Sequence, residues 1–435
     1  GKRFFSPIFT IEAGTNYSVA DVESPDAFRL DGLFDELSQL GGVAIVQEPL
    51  IDEWARTVAA RSRFSVIAAC DSKDRLQSVR QAWYADGVYG VRLTAQPNKE
   101  IPREIANLVV TTSDGISAAA QWISPSGALV CIADSKPPVE IAVEQQQQAS
   151  VDAQGGQATR VLDWKSIDDG VWLGTQNVLN DLAEWGHQYG SASNASYVGE
   201  SLNGADESDE LRIRWLGRPG ADFGIDRNPR MPAPLAVGGR LFHQGMNRMV
   251  ALDAFNGVIL WSIEMPDLRR VNIPRDSGNW CADENRVYAI ARDSLWVIDA
   301  ATGEMLYTLR HPPPHEEEHE WGYVAVTDDA IVGTTLSSGS AYEDFWDKAA
   351  WYDKINEAAT AKICGNAIMA YDKAYGDLKW KREVDAVVQS TITIQGDRMF
   401  FVEVEDESLK DQMSGKLTDD QIWAKASVVC LDLAT

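Results

Sequence analysis

The stretch Ala251-Leu252-Asp253-Ala254-Phe255-Asn256-Gly257-Val258-Ile259-Leu260-Trp261 recurs along the chain, and this recurrence constrains the fold more than any other feature. Its form is aspartate, three residues, glycine, three residues, aromatic. Asp299 to Tyr307 is a second copy and Asp372 to Trp380 a third, while Cys430 to Thr435 reads as the start of a fourth. An aspartate bonds its own backbone and a glycine accepts positive φ, so each copy predicts strand, tight turn, strand. Short-strand repeats of roughly 40 to 50 residues predict a propeller or solenoid. The last two intervals are longer, which predicts insertions.

These residues resemble the repeat of pyrroloquinoline-quinone-type β-propellers, in which the aromatic after the glycine docks onto the neighbouring blade. The resemblance covers about Trp185 to the C-terminus. It implies an all-β propeller of four-stranded blades over 161–435, partial in this chain, with three to four blades and the rest expected in a missing C-terminal part. The second blade predicts strands at Asn279 to Ala282, Arg286 to Ala291, Ser294 to Ile298 and Glu304 to Leu309. In such a ring the first strand of each blade lines the channel. Arg275, Asp276, Asn279 and Trp280 are therefore channel candidates, and Arg275, Asn279 and Trp280 the candidate cofactor-binding set. Met231 to Ala236, Tyr323 to Val326 and Val387 to Thr391 are their counterparts. Trp185 to Ser196 is the expected opening of the propeller, and Leu211 to Leu216 an outer strand.

The N-terminal part reads differently. Helical spacing at Asp31 to Leu40, Ile51 to Arg61 and Lys73 to Asp86 alternates with apolar runs. The runs are Gly41 to Val46, Phe64 to Asp71, Val91 to Leu93, Ala106 to Val110 and Ala128 to Ile132. Alternation of this kind predicts a parallel sheet covered by helices. The order, the acid-ended strand at Asp71 and the run Ile123 to Leu129 resemble class I methyltransferases that use S-adenosylmethionine. Beside a quinone-type propeller, such a domain resembles large secreted proteins of planctomycete type. The departure is at the first strand. It runs into Gln47-Glu48-Pro49-Leu50-Ile51, where that family places a glycine-rich cofactor turn, and Gly41 and Gly42 precede the strand. Backbone cannot approach a ligand closely there. The expectation is a degenerate, non-catalytic Rossmann-like domain over 1–134 and a linker over 135–160 rich in Gln, Gly and Pro.

Lys plus Arg number 39 and Asp plus Glu 65, a net charge of −26, which excludes a basic nucleic-acid face. No apolar run reaches the length of a membrane span. The five cysteines have no CxxC spacing and read as buried hydrophobes. His315 and His319 with Glu316 to Glu318 could hold a metal or form a loop. Ser338 to Ile363 reads as an aromatic amphipathic insertion, and Glu405 to Gln421 as a second insertion, a solvated loop or helix.

Two functions follow. One is an extracytoplasmic, periplasmic or extracellular, binding or assembly scaffold for protein or polysaccharide partners. The resemblance implies the other: a quinoprotein alcohol or sugar dehydrogenase with the quinone on a tryptophan and a calcium ion polarising it. The adjacent-cysteine pair of that family is absent, and no aspartate carries a motif for the base. Methyl transfer is a third reading, disfavoured by Gln47 to Leu50.

Overall fold

The computed structural model describes residues 31–37, 41–144, 157–176, 183–200, 207, 213–217, 232–245, 247–268, 278–311, 319–341, 362–409 and 415–434. The chain forms two compact units. The first comprises residues 1–182 with 212–217 and 253–260, and the second the remainder.

In the first unit, strands β1 (Gly41–Gln47), β2 (Arg63–Cys70), β3 (Leu93–Pro97), β4 (Ala106–Thr112) and β5 (Ile123–Ile132) are parallel, in the order β3-β2-β1-β4-β5. Helices α1 (Asp31–Leu37), α2 (Ile51–Arg61), α3 (Lys73–Ala85) and α4 (Ile116–Ala119) accompany them. Both faces of the sheet are buried. Ala44, Val46, Val66 and Leu108 meet Trp54, Val58 and Trp83 on one face, while Ile45, Val109 and Leu129 meet Ile116 and Trp122 on the other. Burial on both faces explains the unbroken apolar runs.

The expected linker is corrected. β6 (Glu140–Glu144) and β7 (Gln157–Val161) form a hairpin, and β8 (Asp163–Asp168) and β9 (Val171–Thr175) extend the sheet as β5-β9-β8, both joints antiparallel. The apolar alternation of Ile141 and Val143 was masked by the surrounding glutamines; both are buried. Residues 145–156 lie outside the described set.

The second unit contains successive antiparallel sheets. β10 (Leu235–Val237), β11 (Arg240–Gln244), β12 (Arg248–Asp253) and β13 (Ile259–Glu264) form the first. β14 (Trp280–Ala282), β15 (Arg286–Ala291), β16 (Ser294–Asp299) and β17 (Met305–Arg310) form the second, within one residue of the strands read from sequence. β18 (His319–Val326), β19 (Ala330–Ser337), β20 (Lys362–Asp372) and β21 (Leu378–Gln395) form the third. β21 has 18 residues. Its first half pairs with β20 and its second half with β22 (Arg398–Val404), followed by β24 (Ala426–Asp432). The third sheet thus runs into a fourth through one bent strand.

The charged insertion contains a helix, as one of its two readings expects, but it is not solvated throughout. β23 (Lys416–Leu417) pairs with β20, and α5 (Asp419–Ala424) follows it. Leu409, Leu417 and Ile422 pack with Cys364, Ala386 and Val388. Leu211 and Arg212, most of Ser338 to Ile363, and His315 with its glutamates lie outside the described residues. Residues 213–217 form no strand.

Four cysteines are buried and Cys430 is exposed; all five are free thiols. No described helix is long and apolar enough to cross a membrane.

Candidate functional site

The repeat turn is built from one side chain. Asp253 Oδ1 accepts from the amides of Phe255 and Asn256 at 2.8 and 2.9 Å. Asp299 does the same with Ala301 and Thr302, and Asp372 with Ala374 and Tyr375. The turn glycine then takes positive φ: 71° at Gly257, 76° at Gly303 and 77° at Gly376. The repeating aspartates are turn formers.

The aromatic locks the turn of the next sheet. Trp261 is 2% exposed and donates its indole N–H to Ala300 O at 3.0 Å. Its ring lies on Gly303, where a Cβ would stand 2.6 Å from Trp261 Cδ2. Leu309 and Tyr307 share the cover of Gly376, where a Cβ would stand 3.0 Å from Leu309 Cδ2 and 3.3 Å from Tyr307 Cε2, and Trp380 donates to Leu433 O at 3.0 Å. Within the first unit, Trp215 covers Gly257 and donates to Ala254 O at 2.9 Å. That role was not read for Trp215, because no aspartate-glycine turn precedes it.

The turn of Asp253 has further partners in the first unit. Asp253 Oδ2 accepts from Asn107 Nδ2 at 2.6 Å and from Ser126 Oγ at 2.7 Å. Asn107 Oδ1 accepts from Val43 N and Asn256 Nδ2. A Cβ at Gly42, whose φ is 110°, would stand 2.1 Å from Asn107 Oδ1. Gly42 therefore serves this contact.

In the second unit, residues 185–194 lie across the inner strands of all four sheets. Trp185 exchanges two backbone bonds with Ala236 on β10. Gly186 O accepts from Ala282 N on β14 at 2.8 Å. His187 Nε2 accepts from Val326 N on β18 at 3.1 Å. Ala192 O accepts from Ile394 N, and Asn194 Nδ2 donates to Ile392 O at 2.6 Å, both on β21. Burial depresses the His187 pKa to about 4, so the imidazole is neutral and Nε2 is free to accept.

Between this segment and the inner strands is a cavity of about 10 Å³, room for about one water molecule. His187, Gln188, Tyr189, Asn194, Trp280 and Tyr323 line it. Of the candidate cofactor-binding residues, Trp280 borders the cavity at 1% exposure. Asn279 is fully buried and turned elsewhere, exchanging bonds with Gln244 and donating to Leu268 O at 2.9 Å. Arg275 lies outside the described residues, as does Asp276. Sequence reading missed His187 and Asn194, whose only signal was their place in an Asn/Ser-rich stretch. The residues bordering the cavity do not fit a tricyclic quinone with calcium. The room is too small, and no carboxylate is among the lining residues. Among the described residues no three His, Cys, Asp or Glu side chains converge on a metal position.

At the C-terminal end of β1, Gln47 Oε1 accepts from Thr111 Oγ1 at 2.6 Å, and a Cβ at Gly115 would stand 2.5 Å from Gln47 Oε1 and 2.6 Å from Thr111 Oγ1. Arg75 bridges Glu48 at 3.5 Å and Asp52 at 2.6 Å. Burial, with Asp71 adding to it, raises the Glu48 pKa. Asp71, the acid that follows β2, accepts from Asn98. These residues do not fit S-adenosylmethionine: the buried Gln47 is bonded to Thr111 where a glycine turn would be needed, and Arg75 and Asn98 already pair Glu48, Asp52 and Asp71.

Wedge-locked, four-stranded antiparallel sheets define a propeller-type repeat protein, joined in this chain to a unit with a Rossmann-like parallel sheet. No family model and no curated protein matches the chain. Solved structures do. It is similar to the quinohemoprotein alcohol dehydrogenase ADHIIG from Pseudomonas putida HK5 at 14% identity and a TM-score of 0.36, over 58% of this chain and 39% of that one. It is similar to a europium-containing methanol dehydrogenase at 14% identity and a TM-score of 0.35, over 59% of this chain and 48% of that one. A third is BamB from Moraxella catarrhalis, at 12% identity and a TM-score of 0.19, over 42% of this chain and 70% of that one. The chain thus spans less than half the length of either dehydrogenase.

Proposed function

We propose that this protein is a binding or assembly scaffold of propeller type, acting outside the cytoplasm on protein or polysaccharide partners. Its first unit is a methyltransferase-like platform that transfers no methyl group. One observation carries the reading: the strand-lined centre of the second unit is occupied by the chain's own residues 185–194, which spend their hydrogen bonds on the four inner strands. A centre used this way holds sheets together. Substrate contacts then fall to exterior surfaces.

The quinoprotein alternative keeps one support, the nearly buried Trp280 indole beside the cavity. Reconstitution with pyrroloquinoline quinone and calcium separates the two readings. The scaffold reading expects no dye-linked oxidation of alcohols or sugars; stoichiometric quinone retention with turnover overturns it. Calorimetry with S-adenosylmethionine is expected to give no heat of binding, and micromolar affinity would refute this reading of Gln47 to Leu50.

A further inference from the structure

Three polar groups that border the central cavity of the second unit have no complement among the described residues. Trp280, the first residue of β14, is 1% exposed, and its indole N–H has no hydrogen-bond partner. Gln188, on the segment 185–194, carries a buried side-chain oxygen, Oε1, that has none either. Tyr323 on β18 is buried. Its hydroxyl oxygen accepts from Asn194 Nδ2 at 3.4 Å, a long bond, and burial raises its pKa, so the phenol keeps a proton that no described group accepts. All three residues line the same cavity of about 10 Å³. Native interiors leave few buried polar groups unpaired, because each forfeits its bond to solvent.

The kind of group and the space together specify the occupant. Two donors and one acceptor call for a molecule that accepts twice and donates at least once. The room admits one molecule the size of water. A metal or ammonium cation has no lone pair to accept from the indole or the phenol. A halide accepts from both but faces the Gln188 carbonyl oxygen. Water meets all three, and about three bonds is the usual number for a buried water. The position suits this role. Gly186 and His187 fasten the crossing segment directly to β14 and β18, and Gln188 is the next residue along it.

We propose that the centre of the second unit is a binding site for one structural water, which accepts from Trp280 Nε1 and Tyr323 Oη and donates to Gln188 Oε1. This water joins the segment 185–194 to the inner strands of the second and third sheets at one point. It gives the Trp280 indole a role that needs no quinone, and it does not depend on what the exterior surfaces bind.

The probe is water itself, observed in the full chain. With isotope-labelled tryptophan, the Trp280 indole proton, assigned by its loss in Trp280→Phe, should show a magnetisation-transfer peak to water with the sign of a long-lived bound molecule. A high-resolution crystal structure should place one density peak about 2.7–3.2 Å from all three atoms. Gln188→Met and Tyr323→Phe each delete one partner with little change of shape. Each should speed exchange of the Val326 amide, which His187 holds closed, by about fivefold, the worth of one hydrogen bond. Both act through one water, so the double variant should fall short of the product of the two effects. Absence of the transfer peak or of the density overturns the proposal. So do multiplying effects in the double variant, or slower exchange in a single one, which would mark the deleted group as unpaired. Exchange that responds to chloride or bromide overturns it in favour of an anion.

Discussion

Trp261 and Gly303 are one interlocking pair, and a double-mutant cycle measures it. Trp261→Ala removes a ring 2% exposed and strands the carbonyl of Ala300. Truncating a buried tryptophan costs about 3–5 kcal/mol, and the unpaired acceptor adds about 1 kcal/mol. Gly303→Ala costs about 1–2 kcal/mol for a side chain at a φ of 76°. It adds about 1–3 kcal/mol for a Cβ driven to 2.6 Å from the ring. With the ring absent the collision vanishes, and the alanine methyl enters space the indole had filled. The double mutant should therefore be less destabilised than the sum of the singles by at least about 1 kcal/mol. Because the chain has two units, unfolding is best read locally, from exchange of β15 and β16 amides against denaturant. Additivity within about 0.5 kcal/mol, or a Trp261→Ala cost below about 1 kcal/mol, would refute the wedge.

Acid should weaken the second unit through His187. Its folded pKa, about 4, lies below the unfolded value of about 6.5, so the unfolded state binds the extra proton between those pH values. Stability contributed by the neutral ring is complete above about pH 6.5 and falls by up to about 3 kcal/mol as pH drops towards 4. His187→Gln should flatten that part of a denaturation-versus-pH curve, and an unchanged slope would refute the assignment. Asn107→Ala should destabilise the first unit by about 2–3 kcal/mol in chemical denaturation, because Val43 N and Asp253 lose a buried partner. Gly42→Ala should do at least as much, since its Cβ would collide with Asn107 Oδ1; a neutral result for either would remove that contact from the account.

The repeat was legible because its chemistry is local. Asp253, Asp299 and Asp372 bond amides two and three residues ahead, and the glycine and aromatic follow at fixed offsets. The strands of the second sheet, read from the four-stranded blade of the resembled repeat, lie within one residue of β14 to β17. The hairpin β6/β7 was not legible, because three apolar residues on β6 and two on β7 are separated by a glutamine-rich stretch. The bent β21 was hidden likewise, since one strand serving two sheets has no turn to mark the change. At the centre of the second unit, Trp280 could be placed by blade register, but the partner of Asn279 could not. Its bonds run to Gln244 and Leu268, which no spacing announces. His187 and Asn194 act across 139 and 198 residues, a separation at which side-chain type says nothing of the partner.

Those long separations bear on how the molecule assembles. During synthesis, residues 185–194 emerge well before Ile392 and Ile394, their final partners, exist. Early sheets can close their own hairpins, yet the lacing strand through the middle stays unfastened until the last of the four arrives. Such late, non-local closure is slow relative to local hairpin formation. A nascent chain stalled before residue 392 should therefore carry this segment as a protease-sensitive thread, and release of the completed chain should make it resistant in a single step.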